Sequence, residues 1–190
     1  MACTIDISSV PLDKRQRPDF VNLYSQIQTA INNPSWVTAF CVHEAGHKIY
    51  ISRFGVTGFQ FLGPKITYDP QQDTFDGFPA AVTTTTPPTP LTAVGFNFDQ
   101  WLASIAQTKA AGGIFARVLT SAPDGGDEED KEHFLDACIS LHTAMPNLNF
   151  DEEAVWQEAQ EAITKELRSA VFRKECWDEA NKIRQEIFGY

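Results

Sequence analysis

Positive charge is scarce in this chain. Lysine and arginine number 15 against 25 aspartates and glutamates, a formal charge of -10. The cations are scattered rather than gathered into a patch, so the chain would repel nucleic acid phosphates and is not expected to bind them. Long apolar runs are also missing, and no stretch approaches the length of a transmembrane helix. The first residues mix Asp6, Asp13, Lys14, Arg15 and Arg17 with few apolar side chains, which excludes the apolar core of a signal peptide. No membrane insertion and a cytoplasmic location follow as expectations. Cysteine is limited to Cys3, Cys41, Cys138 and Cys176, without paired short spacing. Such cysteines read as reduced packing thiols rather than disulfide partners or zinc ligands. Internal repeats are absent, and the one biased stretch, T-T-T-T-P-P-T-P at 83–90, has neither apolar periodicity nor ladder-competent residues. It is expected to be an exposed loop that marks no domain boundary.

What remains is one domain's worth of core-forming sequence, 43% hydrophobic over 190 residues. A single domain over 1–190 is expected, with a polar segment at 1–17. Phe20, Leu23, Ile27 and Ile31 repeat at helical spacing, which predicts an amphipathic helix over 18–32. Asn33-Pro34 offers an N-cap and a proline at the first helical position, and Gly55 a left-handed stop, so 34–54 is a second helix. Between Gly58 and Val82 the pattern changes to two or three short strands broken by Gly63, Pro64 and Asp76-Gly77. A helix capped by Asp99 is expected next, interrupted at Gly112-Gly113, where close packing of another backbone is anticipated. After a turn at 121–126, helices follow over 127–145 and 151–188, the last as one long helix or two. The fold class is therefore α+β and mostly helical: a helical bundle with a small β-sheet inserted after the second helix.

That second helix contains His43-Glu44-Ala45-Gly46-His47, the pattern H-E-x-x-H. Residues four apart on a helix lie one above the other, so both imidazoles can grip one metal ion with Glu44 beside them as a base. Trp36, Phe40, His43, His47, Tyr50 and Phe54 form one stripe, which predicts histidines turned toward an aromatic interior. The same spacing suits a pair of satisfied core histidines.

The order of parts, H-E-A-G-H, short strands, a helix with a Gly-Gly pair, a glycine turn and an acidic helix, resembles the peptidase domain of FtsH-type ATP-dependent zinc metalloproteases over about 34–141. In that family an aspartate opening the later helix completes the zinc site, and here Gly126-Asp127-Glu128-Glu129-Asp130 puts Asp130 in its place. Asp130 lies four residues before Phe134 and so shares the apolar face. Read by itself it would also suit a carboxylate stabilised at a helix N-terminus. His133 and Asp136 are rival ligands. The chain departs from the family at Ile114 and Arg117, where an arginine and a glutamate are usual, and at Lys48, where alanine is usual. It carries no counterpart of the ATPase domain or membrane anchors.

The resemblance implies Zn2+ held by His43, His47 and Asp130, with a fourth position for water and Glu44 as general base. The expected activity is a zinc metallopeptidase cleaving unfolded or extended polypeptides, supplied by a separate ATPase or regulatory protein. The alternative is a zinc-binding regulatory module with little or no turnover. A monomer or small homo-oligomer is expected in either case.

Overall fold

The computed structural model describes residues 3–84, 97–122 and 127–190. Its elements are α1 (Pro18–Ile31), α2 (Pro34–Arg53), β1 (Phe59–Leu62), β2 (Lys65–Asp69), β3 (Thr74–Phe78), β4 (Ala81–Thr84), α3 (Phe98–Thr120), α4 (Asp127–Ala144), α5 (Glu152–Glu166) and α6 (Ala170–Phe188). The arrangement is α+β and mostly helical, as the hydrophobic periodicity predicts. Among the described residues no helix is long and apolar enough to cross a membrane.

Helix α2 is the central element, packed against α3 and α6. Asn33 Oδ1 accepts hydrogen bonds from the backbone N–H of Ser35 (3.0 Å) and Trp36 (3.3 Å), Pro34 opens the helix, and Gly55 follows it at φ 86°. Val37, Cys41, Ala45 and Ile49 make one buried row, and Val42, Gly46 and Tyr50 a second. Two buried rows on one helix require neighbours on two sides, which α3 and α6 supply. The aromatic stripe expected along α2 runs at the margin of this packing instead. Tyr50 is fully buried, Trp36 and Phe40 are half-buried, and Phe54 is exposed.

Helices α2 and α3 touch backbone to backbone at Gly46, where an added Cβ would lie 2.6 Å from the Ala111 carbonyl oxygen. The close approach of another backbone expected at the Gly112-Gly113 pair is found there, since the same added Cβ would lie 3.0 Å from Gly112 N. Those glycines do not interrupt α3, which is continuous and buried on every residue from Ala110 to Ala116. Its cap is Asn97, whose side chain accepts from Gln100 N–H at 3.0 Å, rather than Asp99. Phe98 decides this boundary, since it packs on Trp101 and Phe150 and so belongs to the first turn.

The strands form two antiparallel pairs, β1 with β4 and β2 with β3, rather than one small sheet. Thr83 and Thr84 pair with Gln60 and Phe59, so the start of the expected loop is strand, while 85–90 lies outside the described residues. The turn expected at 121–126 is described only to Ala122. The polar N-terminal segment is part of the packed structure: Ile5 and Val10 are buried and Asp6 bridges to Lys65. In the second half Phe134, Cys138 and Leu141 of α4 are buried, and the last helical stretch is two helices, with Ser169 capping α6. All four cysteines are free thiols, with Cys41, Cys138 and Cys176 buried. Burial pushes the thiols of Cys41 and Cys176 up to about 12 and that of Cys138 to about 11.

Candidate metal centre

His43 and His47 stand one turn apart on α2, their rings edge to face at 4.5 Å. Their Nε2 atoms are 2.8 Å apart. His47 Nδ1–H donates to the Thr108 carbonyl at 2.6 Å, which leaves the lone pair on Nε2, the nitrogen nearest His43. Two imidazole lone pairs facing each other at this distance repel unless a proton or a cation lies between them.

Asp130 comes to the same point from the first turn of α4. Its Oδ2 lies 3.1 Å from His47 Nε2 and 3.4 Å from His43 Nε2. That oxygen is buried without a hydrogen-bond partner. Four donors around zinc at about 2.0–2.2 Å stand roughly 3.3 Å from one another, so the triangle observed here is close to the size a metal requires. His43, His47 and Asp130 form a His-His-Asp group within metal-binding distance. The residues fit a metal in a second respect. An added Cβ on Gly112 would lie 2.4 Å from His47 Nε2 and 2.7 Å from His43 Nε2, so a glycine is what leaves room for both donors.

Electrostatics follow from the convergence. Burial disfavours charge on His47, but the Asp130 carboxylate beside its Nε2 outweighs that and raises its pKa. Burial likewise works against the Asp130 carboxylate, yet the two histidines hold its pKa well below the usual carboxylate range. Burial pushes Glu44 above its ordinary value, against the pull of His47 and His43. Glu44 lines a cleft of about 240 Å³ with His47, Ile51, Phe59, Val82 and Lys109, between the α2–α3 pair and the β1–β4 pair.

The structure therefore brings His43, His47 and Asp130 together and sets Glu44 at the lip of the adjoining cleft. The imidazoles are not enclosed by aromatic rings, because they sit at the margin of α2 with side-chain exposures of 18% and 20%. His133 and Asp136 are exposed and outside the His-His-Asp group. Lys48 points away from that group: its ammonium pairs with Glu179 and lies over the rings of Phe59 (5.1 Å) and Phe61 (5.2 Å). Ile114 is buried and Arg117 exposed. Two contributors escape the sequence reading. Thr108 acts through a backbone carbonyl, for which side-chain patterns carry no signal. Lys109 could have been found, since it lies three residues before Gly112 and so on the same face of α3.

Comparison of the chain with protein-family models, with curated proteins and with solved structures gives no match.

Proposed function

We propose that this protein is a zinc-dependent endopeptidase of FtsH type, acting on unfolded or extended polypeptides. The observation that carries the reading is the meeting of three donor atoms from two helices around the space left by Gly112, with Glu44 beside them. Two imidazole nitrogens and one carboxylate oxygen make a three-ligand set, the number that leaves a catalytic zinc one open position. The same donors suit non-haem iron, and the choice of zinc rests on Glu44, which follows His43 directly as H-E-x-x-H hydrolysis requires.

Zinc in that place would polarise a carbonyl and lower the pKa of a water to about 7. Glu44 takes the proton of the attacking water and returns it to the leaving amine. Its raised pKa suits both transfers, since a stronger base accepts more readily and its acid form is still populated nearer neutrality. His47 is held by Thr108 in the tautomer that presents Nε2. The β1–β4 pair overhangs the cleft, and an extended chain can add to its edge through main-chain hydrogen bonds with little sequence preference. A substrate of that kind needs to be unfolded first, which a separate ATPase or regulatory partner would accomplish. Four unpaired thiols suit the reducing cytoplasm.

The test is metal analysis of the purified protein after reconstitution, followed by cleavage of an unfolded protein by wild type and by Glu44→Gln. Zinc retained by both with cleavage by wild type only is the expected result. Zinc without cleavage in either would replace the peptidase by a zinc-binding regulatory module, and failure of His43, His47 and Asp130 to retain zinc would end both readings.

A further inference from the structure

Lys109 is a charged side chain of the cleft that neither the proposed metal site nor the hydrolytic step uses. Its side chain is about one-third exposed (34%), and it lines the cleft between His47 and the β1–β4 pair. Its ammonium lies 3.7 Å from Asp130 Oδ1, beyond hydrogen-bond distance, and 3.4 Å from His133 Nδ1 on an exposed ring. Lys48, the other lysine of the cleft, is already engaged by Glu179 and by two aromatic faces. The two lysines therefore differ: Lys48 is closed in a short pair and under two rings, whereas Lys109 is held only by longer contacts to Asp130 and His133 and faces the cleft.

Charge counting sharpens the difference. Lys48 cancels Glu179, and a divalent cation would just cancel Asp130 and Glu44 when both are ionised. The charge of Lys109 is then left over, so the loaded cleft is net positive in a chain whose formal charge is -10. A low-dielectric cleft with one surplus cation attracts an anionic group of the incoming chain and disfavours a cationic one. The geometry also limits where that group can sit, because the ammonium is separated from the three-donor centre by only the width of the Asp130 carboxylate.

Resting on the peptidase reading, we infer that Lys109 is a specificity-determining residue that selects peptides bearing a carboxylate close to the scissile bond. Two sources supply that chemistry, an aspartate or glutamate side chain and the carboxylate of a chain end. Only the chemistry is shared, and the experiment separates them.

The experiment measures binding by fluorescence anisotropy on the zinc-loaded Glu44→Gln protein, which keeps the cleft and does not consume the probe. The probes are labelled peptides of one sequence with Glu, Gln or Lys at each central position in turn and an amidated end, together with a shortened series ending in a free carboxylate. A hydrogen bond to a charged group implies a preference of about tenfold or more for the carboxylate-bearing peptide over its neutral counterpart. Lys109→Met is expected to abolish this preference, Lys109→Glu to reverse it toward the Lys peptide, and Lys109→Arg to keep it. Preference in the amidated Glu series assigns side-chain recognition, and preference only in the free-ended series assigns chain-end recognition. Equal binding of charged and neutral peptides overturns the inference. So does a Lys109→Met variant whose cobalt(II) absorption spectrum changes while the peptide preference stays, because Lys109 would then be positioning Asp130 instead. Binding to the zinc-loaded protein is read whether or not wild type cleaves anything, and zinc retention is scored beforehand by metal analysis, so failure of the peptidase reading and failure of this inference remain separate results.

Discussion

Gly112 faces His47 so closely that a single methyl group would stand 2.4 Å from Nε2. Gly112→Ala tests whether that space belongs to a metal. Alanine favours a helix by about 1 kcal/mol, while an overpacked methyl costs roughly 1–3 kcal/mol, so the metal-free protein should lose only a little stability. The displaced imidazoles can no longer meet one ion with Asp130. Zinc affinity, measured by chelator competition, is expected to fall by about tenfold or more, because one misplaced ligand forfeits at least one good contact. Unchanged affinity would mean that the glycine serves packing alone.

The position of that glycine illustrates what the sequence discloses. Asn33, Pro34 and Gly55 bound the motif helix through local backbone chemistry, and each performs the expected role. The inward face of Asp130 was legible through its spacing from Phe134, while its choice as third ligand rested on the family resemblance. What Gly112 faces depends on how α3 docks, and docking is a tertiary property. The same holds for Ile5 and Val10, whose burial arises from the bridge between Asp6 and Lys65 and not from any periodicity of their own. The division of four strands into two pairs was equally hidden, because short strands leave several pairings open until the hairpins are placed.

The metal-free protein should show a stability maximum on the acid side of neutrality from its His47–Asp130 pair. The Asp130 pKa is lowered in the folded state, so its contribution is present above the unfolded value of about 3.9 and is lost as pH falls through the folded value. The His47 pKa is raised, so its contribution is full below about 6.5 and is lost as pH rises through the folded value. Both are present together between about pH 4 and 6.5. Chemical denaturation across this range should trace the maximum, and Asp130→Asn should remove it. Zinc competes with the same proton, so its affinity should climb as pH rises through the upper limb.

Glu44→Gln should make the metal-free protein more stable while ending hydrolysis. Burial raises the Glu44 pKa, so the ionised carboxylate is a cost that appears above its unfolded value of about 4.3 and persists at neutrality. Glutamine has similar size and no charge, and it removes that cost. Thermal midpoints at pH 7.5 and pH 4 provide the check: a gain at the higher pH that disappears at the lower one is the expected signature.

Lys48→Ala should destabilise this chain. The Lys48 ammonium joins α2 to Glu179 of α6 and covers Phe59 and Phe61 of β1, so truncation severs three elements at one point. Glu179 is only 14% exposed and would keep Lys182 as its remaining partner at 3.1 Å. Breaking a fully buried pair from one side costs about 3–5 kcal/mol, and the partial exposure of both ends reduces the expectation to about 1–3 kcal/mol. Burial opposes ionisation of Glu179, yet Lys48 and Lys182 hold its pKa below the ordinary value, so the pair's contribution is present above the unfolded value of about 4.3 and disappears on acidification. The penalty of Lys48→Ala should therefore shrink as pH falls. Replacing both residues, Lys48→Met with Glu179→Leu, should recover most of the loss, since an apolar pair leaves no stranded charge beside the two phenylalanines. Denaturation of the two single variants and the double variant at pH 7 separates these terms, and additivity of the two single losses would show that the pair does not bind α2 to α6.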